Sequence, residues 1–248
     1  MKLKSRIYRW MEKFLSHFTD RIVCISEAER QSAVNNKIGD SGKLALIPNG
    51  IDIQAVRNAT PKERSELGIA ESAFVVGMIG RISAQKAPDI FIKAAKLIKT
   101  QIPNSSFMII GDGELRPKIE KFASENELHL NITGWTDEPY SYLKVFDVAV
   151  LLSRWEGFGL AVVEYMAAEK NVVATRIDAL PTIIEDGVDG LLVDVDSPED
   201  ACDKVLWLYN HPDEAKIMRE KALAKVYKKY DISRVAQQHL EMFEQLMK

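Results

Sequence analysis

The sequence has few of the residues from which disulfide frameworks and metal sites are built. Its two cysteines, Cys24 and Cys202, lie far apart, each within an apolar run. This arrangement predicts no disulfide framework and is typical of a reducing compartment. The four histidines are scattered without ligand spacing, and no Ser/His/Asp or Cys/His order stands out. We therefore expect no metal site and no resident cofactor.

Long apolar runs and an excess of positive charge are also lacking. No run approaches the length that spans a bilayer, and the first residues lack the apolar stretch and cleavage site of a signal peptide. A formal net charge of −3 over 248 residues provides no basic field for nucleic acid. Hydrophobic residues make up 46% of the chain, which is enough for a core. These features predict a cytoplasmic protein without a nucleic-acid partner.

Short apolar runs alternate with helical patterns along most of the chain. The predicted strands are 21–26, 44–48, 74–80, 106–111, 128–134, 147–153, 171–175 and 190–193. The predicted helices are 88–101, 113–126 and 160–169, followed at the end of the chain by 198–210, 212–229 and 232–247. Most strand runs are apolar throughout, which favours strands covered on both faces. The alternation predicts an α/β fold with a doubly wound, Rossmann-like parallel sheet.

The first twenty residues have a different pattern, in which apolar and basic side chains share one predicted helix. The apolar positions at helical spacing are Leu3, Ile7, Trp10, Met11, Phe14, Leu15 and Phe18, and the basic positions are Lys2, Lys4, Arg6, Arg9 and Lys13. Such a helix either packs on protein or lies as a peripheral element on an anionic membrane. Packing on protein is favoured, because apolar stripes usually mark buried faces.

The residues that follow each predicted strand are the first candidates for a site, because doubly wound sheets bind ligands beyond the carboxyl ends of their strands. After the strand at 74–80, Gly80 permits a close turn, and Arg81 and Lys86 place two cations on one short loop. A helix begins directly afterwards, near Pro88. Two cations beside a helix N-terminus suit a diphosphate. The alternative is two solvated surface cations.

The run SRWEGFGLAVVEYMAA, which follows the sixth predicted strand, keeps two carboxylates in an otherwise apolar stretch. Gly157 and Gly159 permit close backbone approach to a ligand, and the helix that begins near Leu160 offers free N–H groups to phosphate. Glu164 lies within this apolar helix, where ribose hydroxyls would be good partners for it. Glu156 lies on the preceding loop and could meet a second polar part of the same ligand. The alternative is that both acids pair with Arg or Lys elsewhere.

Other strand ends carry weaker signals. Gly111 and Gly113 resemble the start of a dinucleotide fingerprint, but the third glycine is absent and a tight turn is favoured. Trp135 and Thr136 follow another strand, where they either flank a base or, for the tryptophan, belong to the core. The DVDSPED segment from Asp194 resembles a metal-binding Asp-x-Asp pattern but fits a helix N-terminus better.

Several short motifs occur in an order that resembles one known family, the retaining glycosyltransferases of family 4, which have the two-domain GT-B fold. VCISEAER resembles the segment before the domain crossover, and IPNGID at 47–52 is similar to the linker into the second domain. GRISAQK resembles the phosphate-gripping loop, and GDGEL and GW follow it. EGFGLAVVE is similar to the Glu-x7-Glu motif, and EDGVDGLLV to the closing signature. Each match is modest, but the ordered set is specific.

The resemblance implies a role for each candidate residue. Arg81 and Lys86 would hold the diphosphate of a nucleotide-sugar donor and stabilise its departure without a metal. Glu156 would face the donor sugar, and Glu164 would bind the ribose hydroxyls. The other donor-binding positions would offer backbone N–H groups (Phe158, Gly159 and Leu160), lie near the base (Trp135 and Thr136) or shape the phosphate loop (Gly80).

The resemblance also implies a domain arrangement and a reaction. Residues 1–45 would be a remnant of the acceptor domain, 46–231 the Rossmann-like donor domain, and 232–248 a helix that crosses back. The chain would be the donor-binding half of a metal-independent hexosyltransferase. Such an enzyme transfers sugar from a UDP- or GDP-sugar, with retention, to a saccharide or glycolipid acceptor in polysaccharide biosynthesis. Alone it is expected to be weakly active or inactive, because the acceptor site would come from an N-terminal domain or a partner chain.

The chain departs from the family pattern at a few positions. Ala87 and Glu169 stand where glycine is usual, Asp178 and Ala179 replace a Gly-Gly pair, and Asn171 replaces a proline. The aspartate adds a carboxylate near the expected donor pocket. The alternative function is therefore a non-catalytic nucleotide-sugar-binding or assembly module. A nicotinamide-dependent oxidoreductase is disfavoured by the incomplete Gly-x-Gly and the paired cations.

Overall fold

The computed structural model of the chain describes residues 2–247, with side chains from residue 6 onward. In chain order its helices and strands are α1 (Lys2–Leu15), β1 (Ile22–Cys24), α2 (Glu27–Asn35), β2 (Leu44–Leu46), α3 (Ile53–Asn58), β3 (Phe74–Ile79), α4 (Pro88–Gln101), β4 (Ser105–Ile110), α5 (Arg116–Glu125), β5 (Leu130–Ile132), α6 (Pro139–Leu143), β6 (Val148–Leu151), α7 (Leu160–Ala167), β7 (Asn171–Thr175), α8 (Leu180–Ile183), β8 (Leu191–Val193), α9 (Pro198–Asn210), α10 (Pro212–Lys229) and α11 (Ile232–Leu246). Every strand and helix predicted from 21 to 247 is present, with bounds within three residues of the prediction.

The sequence patterns missed the short helices α2, α3, α6 and α8. Each has nine residues or fewer, which is too short for a clear helical period of apolar residues. Two of them carry a readable start signal. Ser26 accepts a hydrogen bond from the Glu29 N–H, and Asp52 accepts one from the Ala55 N–H. Such N-caps stabilise the first turn and mark where it begins.

The strands from β3 to β8 form one parallel sheet in the order β5-β4-β3-β6-β7-β8. The chain moves outward from β3 to β5, returns to place β6 beside β3, and then moves outward to β8. Two separate clusters of buried apolar residues show that helices cover both faces of the sheet. The predicted doubly wound α/β fold is confirmed. The strand order reverses between β3 and β6, which is where such a sheet opens a ligand crevice at its carboxyl edge.

The residues before the main sheet form a small unit in which α1 exposes its apolar face. β1 and β2 pair in parallel as a separate two-stranded sheet. Among residues 6–18, the large apolar side chains that are 46% exposed or more are Ile7, Tyr8, Trp10, Met11, Phe14, Leu15 and Phe18. The sequence favoured packing of this face on protein, but the rest of the described chain does not cover it. The side chains of Lys2, Leu3 and Lys4, which belong to the same predicted pattern, lie outside the described residues.

The IPNGID linker packs against the junction between α10 and α11. The Ile51 N–H donates to the Tyr230 carbonyl oxygen at 2.9 Å, and the Ile232 N–H donates to the Ile51 carbonyl oxygen at 3.0 Å. A Cβ atom on Gly50 would lie 2.9 Å from the Ile232 Cα, so this approach requires a glycine. The linker and the start of the last helix are thus held side by side.

One departure from the family pattern has a conformational cost that can be measured. Glu169 follows the last turn of α7 with a φ of 57°, and backbone hydrogen bonds from Glu169 to Met166 and from Lys170 to Tyr165 close the helix there. This is the position and geometry at which glycine is favoured. We expect Glu169→Gly to raise the free energy of unfolding by about 1 kcal/mol in denaturant titration, because a left-handed conformation costs a non-glycine residue roughly 1–2 kcal/mol.

The control separates backbone strain from the ion pair that Glu169 forms with Arg57 at 2.8 Å. Glu169→Ala also loses that exposed pair but keeps the side-chain strain, so it should give no gain in stability. Equal stability of the two variants would show that the left-handed conformation carries no cost here.

Candidate active site

The crevice between β3 and β6 holds an ion pair between residues 70 positions apart. The Lys86 Nζ, on the loop after β3, lies 2.5 Å from the Glu156 Oε1, on the loop after β6. The Ser153 hydroxyl donates to the same oxygen at 2.6 Å. The side chains of Lys86 and Glu156 are only 18% and 7% exposed. The structure therefore joins a cation and an acid that the sequence pointed to separately, and it adds Ser153, which sequence reasoning missed.

The second predicted cation lies on the same loop but is free. The Arg81 side chain is exposed and forms no hydrogen bond or ion pair within residues 6–247. Gly80 has a φ of 151°, and a Cβ there would lie 3.3 Å from the Lys86 side chain. Ala87 adopts the left-handed conformation directly before α4, with φ 48° and ψ 50°. The loop thus makes a glycine-like turn at Ala87, which leaves Lys86 in the crevice and Arg81 in solvent.

Arg154 hydrogen-bonds to the loop after β3 and to the loop after β8. Its guanidinium makes paired hydrogen bonds to the Asp89 carboxylate, at 2.8 and 3.1 Å, and bonds the Ala84 carbonyl oxygen at 2.9 Å. Its Nε donates to Asp196 at 2.6 Å. Burial raises the pKa of Asp89, but the hydrogen bonds and charge of Arg154 outweigh it and leave this pKa lowered. Sequence reasoning missed this residue, because an arginine beside a motif carries no signal of its distant partners.

Glu164 faces a tyrosine rather than a cation. The Tyr140 hydroxyl donates to its Oε1 at 3.0 Å. Burial raises the pKa of Glu164, while the Tyr140 hydrogen bond and the charge of Lys86 oppose the rise. The next residue anchors the helix, since the buried Tyr165 hydroxyl accepts the Ile79 N–H at 2.7 Å. The carboxylate on α7 is thus held at the end of β3, close enough to Lys86 to interact with it electrostatically.

The start of α7 combines a close backbone approach with free donors. Gly159 has a φ of 95°, and a Cβ there would lie 2.4 Å from Leu180 Cδ2. The first N–H groups of any helix have no acceptor within it. Phe158 is buried and packs edge-to-face on Tyr230, with ring centroids 5.8 Å apart, whereas Leu160 is 42% exposed. The contacts of the Phe158, Gly159 and Leu160 N–H groups with a ligand stay a prediction.

The predicted base-flanking residues lie at the same carboxyl edge of the sheet, but two strands away from β3. Trp135 follows β5, the edge strand, and is 76% exposed, so its alternative placement in the core is wrong. The Thr136 hydroxyl accepts the Glu138 N–H at 3.1 Å, just before α6. Neither side chain hydrogen-bonds to the Lys86–Glu156 pair, which lies beside β3 and β6. A ligand that reached both would extend across β4.

The segment that begins at Asp194 starts a helix, as predicted. Ser197 caps α9 by accepting the Asp200 N–H, and Pro198 occupies the first helical position. In the described part of the chain, no group of three or more His, Cys, Asp and Glu side chains is arranged to hold a metal ion.

Asp178, which stands where the resembling family has glycine, lies directly beside the ion pair. Its Oδ2 accepts the Glu156 backbone N–H at 2.9 Å. The residue has a φ of 47°, which is the left-handed region that glycine favours and aspartate tolerates. The loops after β6 and β7 are joined by this hydrogen bond, and a second carboxylate is brought to the crevice.

Comparison with known families identifies the groups of proteins that this chain resembles. The family described as Glycosyl transferases group 1 matches residues 59–225, and the family described as Glycosyltransferase Family 4 matches residues 1–55. The Escherichia coli UDP-Gal:alpha-D-GlcNAc-diphosphoundecaprenol alpha-1,3-galactosyltransferase is 32% identical over 204 residues, which cover 77% of this chain and 52% of that protein. The chain spans about half the length of the curated relatives it matches.

Solved structures match most of the described fold. A point mutant of TarM from S. aureus, in complex with Fondaparinux, alpha-GlcNAc-glycerol and UDP, superposes with a TM-score of 0.80 and 26% identity, over 95% of this chain and 46% of that one. Anabaena Alr3699/HepE in complex with UDP superposes with a TM-score of 0.87 and 21% identity, over 94% of this chain and 66% of that one. No helix in residues 2–247 is both long and apolar enough to cross a membrane.

Proposed function

The chain belongs to the group 1 glycosyltransferases, and from this we propose that its strand-end crevice binds a nucleotide-diphospho-sugar as the donor of a sugar transfer. The donor is a UDP-sugar in this proposal, with a GDP-sugar as the other candidate. The name of the E. coli relative contains UDP-Gal, and the TarM structure is a complex with UDP. The proposed reaction retains the anomeric configuration and uses a saccharide or lipid-linked acceptor, as the polyprenyl diphosphate in the relative's name suggests.

The observation that carries the proposal is the largely buried Lys86–Glu156 pair beside an unpaired Arg81. A lysine with two further donors and a free guanidinium on one loop can bind the oxygens of a diphosphate, each through a charge-assisted hydrogen bond. As the sugar leaves, negative charge grows on the diphosphate, and cations beside it stabilise that charge. We propose no metal cofactor, because Arg81, the two remaining donors of Lys86 and the N-terminus of α7 can bind the diphosphate oxygens.

The acids of the crevice serve the rest of the donor. Glu156 keeps one carboxylate oxygen bonded to Lys86 and Ser153, and its Oε2 has no partner within residues 6–247, so it can accept a sugar hydroxyl. Glu164 would accept the ribose hydroxyls beside Tyr140. The N–H groups of Phe158, Gly159 and Leu160 would contact sugar or phosphate oxygens. Trp135 and Thr136 would lie near the base, with Gly80 shaping the phosphate loop.

The acceptor requires surfaces beyond this crevice. The exposed apolar face of α1 and the exposed side chains of α11 (Ile232, Leu240, Phe243 and Leu246) are apolar areas that an acceptor-binding N-terminal domain or a partner chain would cover. Peripheral contact of α1 with a membrane that carries a lipid-linked acceptor is the other candidate. In either case the acceptor site lies outside the donor crevice, and the isolated chain would transfer sugar poorly.

A calorimetric titration with UDP, GDP, ADP and their sugar conjugates tests the donor site. We expect one nucleotide to bind saturably, and Arg81→Ala to weaken it about 10-fold, because a hydrogen bond to a charged group contributes roughly 1.5–3 kcal/mol. Glu164→Ala should weaken it through loss of the ribose contact. Arg234→Ala, which removes an exposed arginine on α11, is the matched control and should leave the affinity unchanged.

Two results would count against this assignment. One is the absence of binding by every nucleotide, and the other is equal weakening by Arg81→Ala and the control. If a nucleotide binds but no transfer follows after an acceptor domain is supplied, the non-catalytic binding module becomes the better description.

A further inference from the structure

Asp178 brings to the crevice a carboxylate that has no cation of its own. Its Oδ2 is held by the Glu156 N–H at 2.9 Å, while its Oδ1 has no hydrogen-bond partner and the group forms no ion pair within residues 6–247. The side chain is exposed. A single backbone donor fixes the position of this carboxylate but leaves its charge uncompensated.

The backbone around Asp178 places its carboxylate at the edge of the crevice. The residue lies in the left-handed region with a φ of 47°, on the loop after β7. The strand β7 pairs directly with β6, so the two loops that carry Asp178 and Glu156 leave neighbouring positions of the same sheet edge. The turn at Asp178 and the pairing of β6 with β7 together bring its carboxylate to the Glu156 backbone N–H.

Apart from two arginines that are already paired, the charges of the crevice are divided by side. The loop after β3 carries the cations Arg81 and Lys86, and the loops after β6 and β7 carry the acids Glu156 and Asp178. The arginines of these last two loops are bound to other acids, Arg154 to Asp89 and Asp196 and Arg176 to Asp186. Lys86 already neutralises Glu156, with their atoms 2.5 Å apart, whereas Asp178 is not neutralised. A donor whose diphosphate lies on the cationic side therefore presents its sugar to a surface with net negative charge. Hydroxyls can donate to that surface, but a further carboxylate is repelled by it.

We propose that Asp178 is a specificity-determining residue that selects a neutral donor sugar, a hexose or N-acetylhexosamine, over a hexuronic acid. This inference rests on the proposed function, because it assumes that the diphosphate binds at Arg81 and Lys86. The free Oδ1 accepts a sugar hydroxyl, and the same charge excludes a sugar whose C6 is a carboxylate.

The test compares UDP-glucose with UDP-glucuronate, which differ only in the oxidation state of C6. We expect calorimetric titration of the full chain to show at least about 10-fold tighter binding of UDP-glucose. Asp178→Asn keeps an oxygen acceptor for the Glu156 N–H and removes the charge, and it should reduce this ratio to about 3 or less. The ratio of the two affinities is the readout, since the loss of a negative charge near the diphosphate strengthens UDP, UDP-glucose and UDP-glucuronate alike.

Asp194→Asn is the matched control, because Asp194 is an exposed aspartate directly after β8, one strand farther along the same edge. It should leave the ratio at the wild-type value. Equal binding of the two sugar nucleotides by the wild type, or an unchanged ratio in Asp178→Asn, would overturn the inference while UDP binding still supports the donor site. Failure of UDP itself to bind would overturn the proposed UDP donor and this inference with it.

Discussion

Replacement of Lys86 by methionine is expected to weaken UDP binding about 100-fold, the largest effect among single changes at the crevice. The methionine keeps the bulk of the lysine stem but cannot donate to the diphosphate, and it leaves the carboxylate of Glu156 without its cation. Charge-assisted hydrogen bonds to an anion contribute roughly 1.5–3 kcal/mol each, and the unpaired acid would also repel the diphosphate. Calorimetric titration of wild type and variant with UDP measures the loss.

Lys86→Met also leaves a buried acid unpaired, so its effect on folding must be separated from its effect on binding. Loss of one partner of a buried ion pair costs roughly 3–5 kcal/mol, and Glu156 is 7% exposed. The double variant Lys86→Met/Glu156→Gln should recover most of the lost stability and still fail to bind UDP at the wild-type level. Lys96→Ala, an exposed lysine on α4, should change neither quantity. Wild-type affinity in Lys86→Met would exclude the lysine from the donor site.

Gly111→Ala is expected to lower the free energy of unfolding by about 3 kcal/mol or more. The Cβ of an alanine there would lie 2.2 Å from the carbonyl oxygen of Gly80, and Gly111 has a φ of 140°. The atoms that the Cβ would meet belong to the backbone of Gly80. Hydrogen bonds from the Gly80 N–H to Ile110 and from the Ile82 N–H to Asp112 hold this backbone in place, so it cannot move aside as a flexible side chain would. Overpacking costs typically 1–3 kcal/mol, and backbone strain adds to it. Chemical denaturation measures the change.

The comparison for Gly111→Ala is Gly68→Ala. Gly68 has a φ of 64°, but a Cβ there would meet no atom within 4 Å. Its substitution should therefore cost only the strain of the left-handed conformation, roughly 1–2 kcal/mol. The difference between the two variants measures the contact with Gly80, together with the different backbone strain at φ 140°. That contact shapes the loop of Arg81 and Lys86. Similar losses in both variants would show that the two loops separate at little cost.

The sheet and its outer helices could be predicted from the sequence because hydropathy encodes burial directly. Strands such as Phe74–Ile79 are apolar throughout, and the helices α9 and α11 begin at the capping residues Ser197 and Asp231. Parallel strands buried on both faces leave their carboxyl ends as the place for ligands. Glycines, cations and acids at these ends therefore indicated the candidate residues before any contact was known.

Hydropathy could not predict which side chains of the crevice pair with one another. Lys86 and Glu156 lie 70 positions apart, and they meet only because the strand order places β6 beside β3. Hydropathy indicates that a strand is buried, but it does not indicate which strand lies next to it. For the same reason the partners of Arg154 and the hydroxyl that binds Glu164 had no signal in the sequence.

The sequence by itself determined the fold class and pointed to the carboxyl edge of the sheet, with its glycines, cations and acids, as the candidate site. The tertiary structure alone decided which charges neutralise one another, that Asp178 holds the Glu156 backbone, and that Trp135 and the apolar face of α1 are exposed. The physical reason is one of range. Burial and local conformation are recorded in residue type and short spacing, whereas a hydrogen bond of about 2.5 to 3 Å between distant loops depends on strand order and on the backbone angles of every turn between them.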